Sequence, residues 1–393
     1  MSRRRSPPSA PPLDDEDLLR EILLRLPLQP SFLARASSVC TRWRGILSDP
    51  QFRKRFRRHH GKPLLLGFFA GPVSREHIFT PVLDSPDRIP AARFSLTMPQ
   101  SRGPFDRWDL VGCRHGLAVL INKCREEVVV SDPLTGRQQR VRFPRGLCDD
   151  IWGIFCNWHG AVLCADGEDG HVHGDCLSSP FKLFLIRNGD MRTLGSLYDS
   201  VSGVWGNIFS ATTNSICSIR SSILAGNALC WLISGGAVLV FDLEMQNLSV
   251  IEKPAENHVV ANSCFQLVRM EDGGLGLAVL SKLTIQLWVR NTNHDGVVGW
   301  VLLQKTIPLD GMFKRRMCSD QKGALFVGYD EDTNVIVLTT MMGNFMLQLD
   351  SMQLKHIIKR NDICFDTFYP YTNFYTAGRR IAGGDGGAEN ANT

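Results

Sequence analysis

From Leu13 to Phe56 the apolar positions recur at helical spacing. Leu18, Leu19, Ile22, Leu23 and Leu26 form a broad stripe, which predicts an amphipathic helix. Asp14 or Asp15 supplies its cap, and Asp17 places negative charge where the helix dipole favours it. Pro27 and Pro30 end that helix and set a tight corner. A second helix is expected from about Ser31, with Phe32, Leu33, Ala36, Val39, Cys40, Trp43, Ile46 and Leu47 on one side. Arg35, Arg42 and Arg44 lie mostly off that face. Asp49-Pro50 opens a third helix, with a capping residue and then proline at the first helical position. Phe52 and Phe56 follow one turn apart. So small a three-helix unit suggests a docking module completed by a partner.

Beyond about Lys62 the helical period stops. Short apolar runs alternate with Gly, Asp, Asn and Pro turns, as in "EEVVVSDPLTGRQQRVRFP", "GAVLVFDLEMQNLSVIEKP" and "NFMLQLDSMQLKHIIKR". Each reads as strand, turn, strand. Three units share an Asp at the end of an apolar strand: Asp132, Asp242 and Asp350. Two more, Tyr198 to Trp205 and Leu287 to Trp300, lead through a turn to a Trp. Irregular repeats of this kind predict a β-propeller of six or seven blades, because radial closure buries both faces of each blade and leaves few exposed edges. A pair of β-sandwiches is the competing architecture. The fold class expected is α+β multidomain, a small helical module followed by an all-β domain.

The helical run "LLREILLRLP", followed by Val39, Cys40, Trp43, Arg44, Asp49, Pro50 and Phe52, resembles an F-box in order and spacing. The order Pro12-Leu13 departs from the Leu-Pro that opens many F-boxes. The β region is similar to the associated β domain of plant-type F-box proteins, through "VVVSDPLTGRQQRVRFP", "AVLCADGEDGHVHGDCLSSPFKLFLI" and "YDSVSGVW". The resemblance implies docking onto a Skp-family adaptor, and through it a cullin, as the substrate receptor of an SCF ubiquitin ligase. It implies adaptor contacts from among Leu13, Leu18, Ile22, Leu23, Leu26, Pro27, Leu33 and Val39, with Cys40, Trp43 and Phe52 in the module's core. An unknown target protein would sit on loops of the β domain.

Charge sharpens the division. Residues 1–62 hold 14 Lys and Arg against 6 Asp and Glu, although the whole chain of 393 residues is only +5. Arg53 to Lys62 reads as the solvated face of the third helix, or else as a nuclear-import or phosphate-binding patch. A nucleic-acid-binding role is not expected, since the β region is not basic and shows no recognition motif. No apolar run is long enough to span a bilayer, and "MSRRRSPPSAPP" lacks the apolar stretch of a secretory signal. The expected organisation is a basic, Pro-rich tail (1–11), the helical module (12–60), the β domain (62–378) and a second tail (379–393). A cytoplasmic or nuclear setting is expected, with the 12 cysteines as reduced thiols.

One cluster invites a chemical reading: Cys156, His159, Cys164, His171, His173, Asp175 and Cys176. It lacks a C-x-x-C pair and lies in a Gly- and Asp-rich stretch typical of surface loops, so neither a metal nor another cofactor is expected. No G-x-S-x-G elbow, phosphate-binding Gly loop or H-E-x-x-H motif is present. The sequence therefore predicts a non-catalytic adaptor. Its rivals are a β-propeller enzyme or ligand-binding protein with a helical cap, and an F-box protein acting outside a ligase.

Overall fold

A computed structural model describes residues 14–375, apart from 72–76, 101, 104, 148–155, 165–172, 174–175, 190, 214–220, 257–258, 260, 293–297, 310, 314–322 and 360–366. Leu13, His171, Asp175 and both terminal tails fall outside the described residues.

Four helices precede the sheets: α1 (Glu16–Leu24), α2 (Pro30–Val39), α3 (Thr41–Ser48) and α4 (Pro50–His60). The Asp15 carboxylate accepts the Asp17 and Leu18 N–H groups and starts α1. Asp49 does the same for Gln51 and Phe52 at the start of α4, behind which Pro50 is already in helical conformation. The second helix expected from the sequence is two helices. Cys40 is extended, at φ −162° and ψ 170°, so the chain turns between α2 and α3. Ser37 and Ser38 spend their hydroxyls on the carbonyls of Ala34 and Arg35, an alternative that weakens a helix end. Val39 adds the low helix propensity of a β-branched side chain. The two short helices can then pack on each other, which one continuous rod could not do.

The module's core is Leu19, Leu23, Leu24, Leu33, Ala36, Ile46, Leu47, Phe52 and Phe56, with Leu26, Leu28 and Trp43 half-buried against it. Leu23 and Leu33, expected on the adaptor face, are thus internal. Cys40, expected in the core, is exposed at the α2–α3 corner.

Residues 64–373 form six small antiparallel sheets. Five have four strands paired in chain order, within 109–142, 157–212, 223–251, 265–308 and 325–359, here blades 1 to 5. Blade 6 joins the two ends of the domain: Leu64–Gly71 pairs with Phe79–Pro81 on one side and with Thr367–Asn373 on the other. The last strand thereby takes the inner position of a blade begun three hundred residues earlier, which closes the ring. Inner strands of neighbouring blades abut, Asp109–Arg114 against Asn157–Cys164, Leu325–Asp330 against Thr367–Asn373, and Thr367–Asn373 against Asp109–Arg114. This is a six-bladed propeller, and the sandwich alternative is overturned.

The apolar cores lie between blades, not within them. One cluster joins Val119, Val128 and Val130 of blade 1 to Trp158, Leu183 and Leu185 of blade 2. Another joins Phe184 and Ile186 of blade 2 to Trp231, Leu239 and Phe241 of blade 3. Strands buried on both faces explain runs such as "LAVLI", which is apolar at every position. Near the axis the backbones come closest. A Cβ on Gly112 would lie 2.0 Å from the Gly160 carbonyl oxygen, and one on Gly328 would lie 2.5 Å from that of Phe368.

The repeated features seen in the sequence have defined tasks. Asp199 and Asp242 end the third strand of a blade, Asp132 directly follows one, and each accepts backbone N–H groups of the following turn. Asp350 instead accepts from the Asn334 and Gln348 side chains. The two repeated tryptophans are clasps between blades. Trp205 Nε1 donates to the Arg142 carbonyl at 2.7 Å, joining blade 2 to blade 1. Trp300 Nε1 donates to the Glu252 carbonyl at 2.7 Å, joining blade 4 to blade 3. Trp205→Phe and Trp300→Phe keep an aromatic ring and lose the donor. Each should cost about 1 kcal/mol in a urea denaturation, and the two should add, because the clasps share no residue.

Candidate functional site

The docking side of the helical module is defined by what its core leaves outside. On α1, Leu19 and Leu23 turn inward while Leu18 (43% exposed) and Ile22 (39%) turn outward, one turn apart. Phe32 (40%) and Val39 (60%) are the exposed large apolar residues of α2. Pro27 is exposed and Leu26 half-buried between α1 and α2. Of the eight adaptor contacts expected, Leu18, Ile22, Pro27 and Val39 lie on the surface; Phe32, on the same apolar period, was not singled out. The charged groups beside them are held locally: Arg20 bridges Glu16 at 2.8 Å and Asp49 at 3.4 Å, and Glu21 bridges Arg25 at 2.9 Å and Arg55 at 2.7 Å. On α4, Phe52 and Phe56 face the core while Lys54, Arg55 and Arg58 face solvent, so the basic run is a solvated helix face.

The centre of the propeller holds the groups that a propeller enzyme would need. Asp330, Glu331 and Asp332 follow one another at the end of the inner strand of blade 5. Each has a partner. Arg114, at the end of the inner strand of blade 1, places Nε 3.1 Å from Glu331. Its Nη2 donates to the Ser222 carbonyl at 3.0 Å, and Glu331 also accepts the Leu224 N–H at 2.7 Å. One ion pair therefore ties blades 1, 3 and 5 across the axis. Asp332 accepts the Thr372 hydroxyl at 2.9 Å from blade 6, and Asp330 accepts the Thr333 hydroxyl. Burial raises the Glu331 carboxyl, and Arg114 opposes that shift. Burial, and then the adjacent Asp332, push Asp330 up to about 7. The cavity among these groups is only about 20 Å³, room for roughly one water. Among the described residues, this cluster is a knot between blades.

A larger cleft, of about 590 Å³, opens where the outer strand of blade 1 meets the last turn of blade 2. Arg140, Arg142 and Arg145 line one side, and Tyr198 and Trp205 the other. The three arginines are exposed and make no ion pair among the described residues. The Trp205 clasp fixes the aromatic wall, so the cleft is stiff on one side and cationic on the other.

Comparison with protein families gives two matches. An F-box domain profile covers residues 15–55, and the profile described as "F-box protein AT5G49610-like, beta-propeller" covers residues 109–376. The chain is an F-box protein of this family. The F-box match covers α1 to α3 and half of α4; the propeller match begins at blade 1, so the two N-terminal strands that close the ring lie outside it. Comparison with curated proteins gives no match. Among solved structures, the chain is similar to the Dos1 propeller (12% identity, 65% of this chain and 59% of that one, TM-score 0.32). It is also similar to the WD40 domain of SCAP from fission yeast (11% identity, 64% and 52%, TM-score 0.37). A third, KlHsv2 with loop 6CD replaced by a Gly-Ser linker, shows 13% identity over 63% of this chain and 70% of that one, with TM-score 0.36. The chain thus spans just over half the length of the first two.

The two parts of this F-box protein meet at Asp87, whose carboxylate accepts the Ser31 N–H at the start of α2, at 2.9 Å. No helix among the described residues is long and apolar enough to cross a membrane. Inside blade 2, His159 is buried, and its Nδ1 has no hydrogen-bond partner among the described residues. Burial, with a smaller push from Lys123, lowers it to about 3. The unfolded chain takes up this proton below about pH 6.5, whereas the folded chain does so only near 3. Stability is therefore lost as pH falls through that window. His159→Phe should recover about 2 kcal/mol of the loss measured between pH 7 and pH 5.

Proposed function

We propose that this F-box protein is the substrate receptor of an SCF ubiquitin ligase, docking a Skp-family adaptor, and a cullin through it, with its helices and presenting a target protein on its propeller. The observation that carries the reading is the exposed row Leu18, Ile22 and Val39 on helices whose own core is already complete. Apolar side chains that the fold leaves outside are what a partner covers. The propeller contributes rigidity: its inter-blade cores and ring closure hold a target at a fixed distance from the adaptor. Catalysis then comes from proximity, with a target lysine kept near a ubiquitin-charged enzyme. No group of this chain is assigned a chemical step. The arginine cleft of blades 1 and 2 suits an acidic segment of the target, because an unpaired guanidinium binds carboxylates bidentately and stacks on aromatic rings.

The test is co-purification with a Skp adaptor and cullin. Leu18→Asp/Ile22→Asp alters only exposed positions and should remove both partners while the circular dichroism spectrum is retained. Wild-type protein that binds neither partner would sink the reading.

A further inference from the structure

We propose that Cys164, His173 and Cys176 form a zinc site that staples the connection between the first two strands of blade 2. Cys164 is the last residue of the strand Asn157–Cys164, and Cys176 opens the short turn Cys176–Ser178 just before the strand Phe181–Gly189. Those strands pair antiparallel, with Cys164 opposite Phe181, so the two ends of one connection each bring a thiol to the same place. His173 joins them from three residues before Cys176. The two Sγ atoms and one imidazole nitrogen all lie within 4.8 Å of one another, and His173 Nδ1 is 3.5 Å from Cys176 Sγ.

That separation is the edge of a metal tetrahedron. Zinc bonds of about 2.3 Å to sulfur and about 2.0–2.1 Å to nitrogen place tetrahedral ligands roughly 3.5–3.8 Å apart. Two thiols and an imidazole select zinc over magnesium or calcium. Neither cysteine is in a disulfide among the described residues. Cys176 is 2% exposed and Cys164 half-buried, beside Phe181 and Tyr198 of the blade 1–blade 2 core. A second imidazole supports the first: the His115 ring lies parallel to that of His173, with centroids 3.4 Å apart. Cys164, His173 and Cys176 are the three ligands that the described residues supply. On binding, each thiol gives its proton to solvent and its sulfur lone pair to the metal, so affinity falls with acidification. Neither the adaptor reading nor the arginine cleft is needed for this inference.

The experiment uses the full chain purified without a histidine tag. Elemental analysis should find about one zinc per chain, falling to the background in Cys164→Ser/Cys176→Ser but not in Cys124→Ser, an exposed thiol elsewhere. Because the double variant could misfold, cobalt is added to chelator-treated wild-type protein as an independent readout. A thiolate-to-cobalt charge-transfer band with tetrahedral d–d bands, displaced by one equivalent of zinc, is the expected result. Absence of zinc as purified together with no cobalt band would overturn the proposal. So would zinc that is retained in the folded double variant.

Discussion

Arg114→Met should destabilise the propeller by about 3–5 kcal/mol, the largest loss expected from any single surface-to-core polar change in this F-box protein. The side chain is 5% exposed and faces Glu331 at 11%, so its removal leaves a buried carboxylate without its counter-charge. It also removes the donor to the Ser222 carbonyl, loosening the link from blade 1 to blade 3. Urea denaturation followed by tryptophan fluorescence measures the loss. The attribution to charge has its own check. In Arg114→Met/Glu331→Gln the orphan charge is gone and an oxygen remains for the Leu224 N–H. The double variant should therefore be more stable than Arg114→Met alone, because a buried pair replaced by neutral groups of similar volume is often close to neutral in stability. A double variant that merely adds two independent losses would show that the ion pair is not the organising contact.

Leu23→Ala should cost about 2–5 kcal/mol and unfold the helical module, which is too small to spare a side chain 0% exposed at its centre. The loss should appear as early loss of helical circular dichroism, with the β signal of the propeller retained, because the helical module and the propeller have separate apolar cores. Leu18→Ala, five residues earlier and 43% exposed, should change stability by less than about 0.5 kcal/mol and yet weaken adaptor binding. The pair separates two losses of binding that look alike in a pull-down. If Leu18→Ala unfolds the module as readily as Leu23→Ala, the assignment of inner and outer faces on α1 is wrong.

Much of this protein was legible along the chain, wherever the determinant is local. The caps Asp15 and Asp49, the proline corner, the change of period near Lys62 and the turn aspartates each act within a few residues, so order and spacing suffice to read them. Even the repeated tryptophans were visible as a repeat. Their partners, Arg142 and Glu252, were not, because they belong to the neighbouring blade, 63 and 48 residues away.

The features the sequence could not decide all depend on which surfaces meet. Leu18 and Leu23 share one apolar stripe, and only the packing of α4 and α2 against α1 makes Leu23 core and leaves Leu18 to a partner. At Cys40 a helix end that Ser37, Ser38 and Val39 weaken locally becomes a corner, and only the tertiary structure shows α2 and α3 sharing one core there. The blade count was fixed by ring closure between Leu64–Gly71 and Thr367–Asn373, a pairing no local pattern encodes. Arg114 and Glu331 stand 217 residues apart, and Cys164 meets Cys176 only because two strands pair antiparallel between them. Periodicity determines which faces are apolar, since each residue carries its own transfer free energy; tertiary structure decides which of those faces are consumed internally, since burial is a property of two surfaces together.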